Sequence, residues 1–244
     1  MMRSILLSGL NCRLRRGMLA LIAFPALLML ALAQPAFAVT SIANGNWSNT
    51  TIWSGGVVPL VGADVVIANG HTVTVTANVT NSPGSLTIDA GGQLTVGGFN
   101  LSVMGATAVS GTLLHNSASG THNFTGDVTI ANGGAWTESA AVPISFWGHL
   151  QNNGTLTAST GLHTFTGTGK TLSGANAIVI PSVTVNGTYQ NDGTLTVATA
   201  LAGSGTLTQG ANAILNIGGS SATFILNAAA SENSVSYTGV AQTV

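Results

Sequence analysis

Gly91-Gly92-Gln93-Leu94-Thr95-Val96 is one of four near copies of a short phrase; the others are Asn153–Ala158 (NGTLTA), Asp192–Val197 (DGTLTV) and Ser204–Gln209 (SGTLTQ). Looser relatives are SLTI at Ser85, DVTI at Asp127 and SVTV at Ser182. Side chains alternate faces along a β-strand, so Leu94 and Val96 are expected to point one way and Thr95 the other. The preceding Gly, or Asn-Gly pair, supplies a turn that bulkier residues resist. Strands this short cannot bury an apolar face alone, but stacked copies can, because each adds one rung to a continuous interior. Val, Ile and Thr dominate the periodic segments, and all three favour strands. The expectation is an all-β chain folded as a right-handed parallel β-helix, a solenoid.

Spacing supports stacking. HNFTG begins at His122 and HTFTG at His163, 41 residues on, while Gly154 and Gly193 are 39 apart. A solenoid rung takes roughly 20 residues, so these spacings read as two rungs. The 12-residue step from Gly193 to Gly205 reads as successive sides of one rung.

Composition narrows the function classes. Of 244 residues only 5% are charged and 45% are hydrophobic. A disordered chain is usually apolar-poor and highly charged, so this one is expected to fold. Arg3, Arg13, Arg15 and Arg16 all lie near the N-terminus; beyond Ala38 the only formal cation is Lys170, against six acids, a balance of −5. Nucleic-acid binding needs a basic footprint to displace counterions, and none is present. Ion pairing with anionic lipid or polyuronate is disfavoured for the same reason. The single cysteine, Cys12, lies in the N-terminal segment, so the remainder has no disulfide and no Cys-based metal site.

Residues 1–38 read as a signal peptide: a basic stretch, the apolar run Met18–Ala33, a break at Gln34 and Pro35, and the small-x-small end Ala36-Phe37-Ala38. The competing reading, an uncleaved membrane anchor, is disfavoured by the shortness of the run and by Pro25 within it. Secretion or display at the cell surface follows, with no membrane contact after cleavage. Residues 39–105 are expected to form an N-terminal cap and the first rungs, with Trp47 and Trp53 covering the open core and Pro59 at an edge or turn. Residues 106–244 carry the repeats. Trp136, Phe146 and Trp147 surround Pro143 in what reads as a loop or lateral excursion. The closing SVSYTGVAQTV shows no cap, so the expectation is a chain truncated at the C-terminus, or an end covered by another chain or by further repeats.

The segment NGNWSNTTIWSGGVVPLVGADVVIANGHTVTV, followed by SLTIDAGGQLTVGG, resembles the eight-glycine domain of extracellular proteins. It is equally similar to the entry segment of bacterial secreted, adhesin-like parallel β-helix proteins. The resemblance is carried by Trp47, Ser48, Trp53, Gly55, Gly56, Pro59, Gly62, Asp64, Val66, Ile67, Gly70, Leu86, Ile88, Gly92 and Leu94. It implies a β-rich extracellular module that binds a ligand or serves as scaffold, and it implies no catalytic residue.

Candidate sites are few. Glycoside hydrolysis generally uses two carboxyl groups about 5–9.5 Å apart. Asp64 and Asp89 are the pair whose spacing suggests stacking, but Asp89-Ala90-Gly91-Gly92 and Asp192-Gly193 also read as turns, where Asp is at home. His122 and His163, equivalent in HxFTG and two rungs apart, lie too far from each other to share one ion with ~2 Å bonds; histidines are expected at rung edges. Gly167–Lys170 (GTGK) does not complete a phosphate loop. No catalytic set, cofactor motif or metal set emerges. The candidate ligand-contact surface is the outward threonines, Thr87, Thr95, Thr129, Thr157, Thr184, Thr196 and Thr208, stacked as a hydroxyl–methyl ladder, with Trp136 and Trp147 as aromatic contacts. The sequence therefore points to a passive adhesive or structural solenoid whose partner is a polysaccharide or cell-surface glycan. The alternatives are a polysaccharide hydrolase or lyase on the same scaffold and, third, a binder of ice or another ordered surface, which needs one flat Thr face.

Overall fold

A computed structural model describes residues 38–222 and 225–239. The expected signal peptide lies outside the described residues except for Ala38. The described chain is almost wholly short parallel strands, with one 3-10 turn at Thr50–Ile52. They stack into a solenoid whose first side is a ten-stranded sheet running from Val39–Thr40 to Ile225–Asn227. The second side is a six-stranded sheet ending at Thr155–Thr157, succeeded by a four-stranded sheet from Ile178–Val179 to Ser234–Tyr237. The third side has seven strands, from Leu101–Val103 to Ser220–Ala222. One circuit illustrates the path: Val128–Ile130 on the first side, Ala135–Glu138 on the second, Ile144–Phe146 on the third, then Leu150–Asn152 back on the first. Stacking continues without interruption across residues 105 and 106, because Thr107–Val109 pairs with both Leu86–Ile88 and Val128–Ile130.

Register fixes the period. Leu86, Thr107, Val128, Leu150, Leu172, Asn191 and Gln209 lie directly above one another, so a rung takes 18–22 residues. His122 pairs with Ile144, and Ile144 with His163, so the two HxFTG copies are two rungs apart as their spacing predicts. The step from Gly193 to Gly205 is different from its reading above. Thr194–Val197 and Thr206–Gln209 are not on successive sides, because Ala200–Ala202 on the third side lies between them.

The alternation expected of the repeated phrase is present. Leu94 and Val96 are fully buried while Thr95 is half-exposed between them. Each fully buried Val, Leu or Ile contributes roughly 1.5–3 kcal/mol, and every rung carries several. The motif glycine, however, has a different task from the one predicted. Gly91 and Gly133 adopt the left-handed conformation, but their successors Gly92 and Gly134, like Gly111 and Gly154, do not. A side chain at Gly111 would collide with the carbonyl of Gly92, and one at Gly154 with the carbonyl of Gly134. A second file follows the corner between third and first sides, where a side chain at Gly105 would meet Gly84, at Gly126 would meet Gly105, and at Gly148 would meet Gly126. Glycine is needed there because successive rungs approach backbone to backbone.

The interior changes along the axis. The first rungs are filled by Val65, Ile67, Val73, Val75, Leu86, Ile88, Leu94 and Val96. At their outer end Trp47 and Trp53 are buried edge-to-face at 5.1 Å, and Trp53 Nε1 donates to the Trp47 carbonyl at 2.8 Å. In the middle rungs Phe124, Phe146 and Phe165 form a column with centroids 5.9 and 5.2 Å apart, Trp136 packs against Phe124, and Tyr189 closes the series. The Tyr189 hydroxyl accepts from the Gly167 N–H at 3.2 Å and lies 3.1 Å from the Phe146 carbonyl. Burial pushes its phenol up to about 12, slightly offset by the Gly167 bond. The stretch is thus no lateral excursion: Pro143 lies in the short connection 139–143 between Ala135–Glu138 and Ile144–Phe146. Trp136 and Phe146 are strand residues pointing inward, and only Trp147 stands at a corner, half-buried.

Candidate functional site

The chemistry-bearing residues sit in two places: an outer surface of hydroxyls and amides, and a polar cluster inside the core. The outward threonines all occupy exposed or half-exposed positions flanked mainly by inward apolar residues, except that Leu156 beside Thr157 is itself only half-buried and Gln209 beside Thr208 is buried but polar. They do not share one face. Thr87, Thr129 and Thr208 are on the first side, Thr95 and Thr157 on the six-stranded sheet, Thr196 on the four-stranded sheet and Thr184 on the third side. Even within a side the files are mixed: Thr87 is followed by Ala108 before Thr129, and Thr95 by Leu114 and Thr137 before Thr157. A continuous flat Thr ladder is therefore absent among the described residues. Trp136 is fully buried and presents nothing to solvent, whereas Trp147 is half-buried at the corner between third and first sides. Three of them have uncharged polar files beside them: Gln151 next to Thr129, Asn123, Ser145 and Thr164 leading to Thr184, and Asn216 and Ser236 following Thr196, whereas Thr87 lies between Val66 and Ala108.

The surface acids are dispersed. Asp64 registers against Ser85 and accepts its hydroxyl at 2.6 Å, while Asp89 follows the far end of that strand. The two therefore do not stack, which corrects the pair suggested by their spacing. Asp127 and Asp192 flank strands three rungs apart, about 14 Å along the axis at ~4.8 Å per rung. Asp127 accepts the backbone N–H of His149 at 2.9 Å and lies 4.0 Å from Lys170 Nζ. Near it a shallow hollow of about 250 Å³ is lined by Lys170, Thr171, Gln190 and Thr208 among others.

The inner cluster was not legible as such. His115, His122, His163 and Glu138 are all buried, at the corner where the second and third sides meet. Histidines were expected at rung edges; three of the five are inside. His115 and Glu138 are paired neighbours on the second side, in the file that begins Val75, Val96. His122 and His163 lie in the file Leu101, His122, Ile144, His163 on the third side. Glu138 is saturated with donors. Its Oε1 accepts from Trp136 Nε1 at 3.0 Å and lies 2.9 Å from His163 Nε2, and its Oε2 accepts the Ser159 backbone N–H at 2.9 Å and hydroxyl at 3.2 Å. Both carboxyl oxygens thus have partners within the protein. His163 Nδ1 faces the Gly161 carbonyl at 3.0 Å.

His115 and His122 are different. Neither ring nitrogen of His115 has a hydrogen-bond partner, nor does Nδ1 of His122. His122 Nε2 reaches only the Ser119 carbonyl, at 3.3 Å. The rings of His115 and His122 meet edge-to-face at 4.7 Å, and His115 stacks on Trp136 at 5.3 Å. Burial pushes the His115 imidazole well below its ordinary value, with the charges of His122 and His163 acting in the same sense. Burial also lowers His122, partly offset by the Ser119 carbonyl and by Glu138. Among the described residues no group of three or more His, Cys, Asp or Glu is arranged to hold a metal ion. The alternation of inward and outward positions, carried through the HxFTG strands, is the signal by which sequence could have placed His122 inside, since Phe124 shares its face. Comparison with known proteins yields no matching family model, no matching curated protein and no matching solved structure.

Proposed function

We propose that the chain is a secreted or cell-surface structural and adhesive solenoid that makes passive polar contacts with glycans or neighbouring cell surfaces. The observation that carries this reading is the outer surface: files of Thr, Ser, Asn and Gln on every side, stacked at rung spacing and almost free of charge. Such a surface offers many weak donors and acceptors at regular intervals and suits neutral polysaccharide better than any ionic partner. Trp147, at a corner, adds an aromatic face of the type that packs against sugar rings. The adhesin-like and eight-glycine resemblance of residues 44–98 points the same way, and there Trp47 and Trp53 would close the first rung as a cap. A hydrolase reading draws no support from the acids, because Asp64, Asp89, Asp127 and Asp192 are scattered and Glu138 is enclosed and fully bonded. An ordered-surface binder would need the flat threonine face that the register breaks up.

A glycan array probed with the purified protein tests the proposal. Binding to neutral glycans that survives 0.5 M salt supports it, and replacing Trp147 by Ala should weaken the signal several-fold. No binding to any glycan or to intact cells would overturn adhesion and leave a spacer.

A further inference from the structure

We propose that the corner holding His115 and His122 is an acid-sensitive latch: the two neutral rings keep the central rungs closed, and their protonation releases the segment between them while the aliphatic rungs stay stacked. The two histidines bracket residues 116–121, which leave the second side after Thr112–His115 and enter the third at His122–Phe124. Asn116, Ala118 and Ser119 in that segment are exposed. An outward swing of this one connection would carry both rings to water by unpairing only its two ends, His115 from Val96 and Glu138 on the second side and His122 from Leu101 and Ile144 on the third.

The cluster has nowhere to put a further proton. A proton on His115 would create a cation with no acceptor, against Trp136 on one side and His122 on another. A proton on Nδ1 of His122 would likewise find no acceptor. Among the described residues Glu138 is the only carboxylate facing the cluster, and its oxygens already receive Trp136, Ser159 and His163. The packed neighbours Gln93–Val96, Leu101–Val103 and Ile144–Phe146, and the connections 116–121 and 139–143, contain no Asp, Glu, Lys, Arg or His. His115, His122, Glu138 and His163 are therefore the full set of titratable groups facing this corner. An unpaired buried charge is among the costliest things a core can hold.

The sign is set by the direction of the shifts. Both imidazoles bind protons less readily when enclosed than when open. Their contribution is complete above the open-state value of ~6.5 and is lost progressively as pH falls below it, towards the lower values of the closed state.

The test is thermal unfolding of the full chain from pH 7.5 to 5, for the wild type, for His115→Phe and for His115→Phe with His122→Leu. The wild-type Tm should fall by roughly 5–10 °C per pH unit below ~6.5, the single variant by about half that, and the double variant should be nearly flat. Emission from Trp136 should change in the same interval, as its stacked neighbour gains charge and leaves. A wild-type Tm independent of pH over this range overturns the proposal, as does a double variant that keeps the wild-type slope. So would a Tm raised by Zn²⁺ at pH 7.5 in the wild type but not in the double variant, since the free nitrogens would then be ligands. If the double variant does not fold, the imidazole proton resonances of the wild type decide. Rings that titrate near pH 6.5 with the core intact overturn the latch; rings that stay neutral until the corner opens support it.

Discussion

Val75 and Val96 occupy the same inward file as His115 and Glu138, one rung after another, yet the two halves of that file have opposite chemistry. The lower half is buried hydrocarbon. The upper half is an imidazole without partners beside a carboxyl group held by four hydrogen bonds from three neighbours. The backbone is the same throughout, with parallel pairing and unbroken register. The contrast teaches that stacking specifies where a side chain goes and leaves its chemistry open, provided that polar groups are supplied with partners. Glu138 meets that condition through Trp136, Ser159 and His163. His115 does not, and so marks the point where the interior departs from pure packing.

Two substitutions sharpen the contrast. Glu138→Ala should cost about 3–5 kcal/mol, because it strands His163, the indole N–H and the Ser159 N–H in the core. Val96→Ala, two rungs away in the same file, should cost only about 2 kcal/mol for lost burial and a small cavity. Urea unfolding followed by circular dichroism measures both, and equal losses would mean that the polar half behaves as ordinary packing.

Gly84→Ala and Gly126→Ala probe what the two regions share. Each added methyl would meet the backbone of the glycine one rung below. Both should therefore lose about 3 kcal/mol, whether the neighbouring core is aliphatic or aromatic. A large difference between them in the same unfolding assay would show that the rung spacing depends on what fills the interior. The smallest effect is expected outside: Thr129→Val, on the outward face between Val128 and Ile130, should shift stability by no more than about 0.5 kcal/mol in either direction. It should still reduce any glycan signal measured on the array, which separates the surface from the core.

Much of this architecture was legible because it is periodic. The apolar-Thr-apolar phrase assigned Leu94, Val96 and Thr95 to the correct faces, and the 41-residue interval between the HxFTG copies placed them two rungs apart. What the phrase hid was the side on which each copy lies. The same GTLT text occurs on the ten-, six- and four-stranded sheets, that is on the first and second sides, because both pose the same local problem: a half-buried strand that follows a close backbone approach. Local pattern cannot distinguish identical local environments, so a single threonine ladder was a natural but mistaken extrapolation.

By itself, then, the sequence determined the all-β class, the solenoid, the rung period and the direction of most side chains, since these follow from two-residue alternation and from repeated glycines. Tertiary structure decided everything that depends on which rung lies over which. It dispersed the threonines and the acids, explained the glycines by backbone contact, and drew Trp136 into the core. It also brought together His115, His122, Glu138 and His163 from four strands on two sides. The physical reason is that alternation is a property of one strand, whereas proximity in a solenoid belongs to the register between strands. That register shifts with every turn whose length departs from the mean.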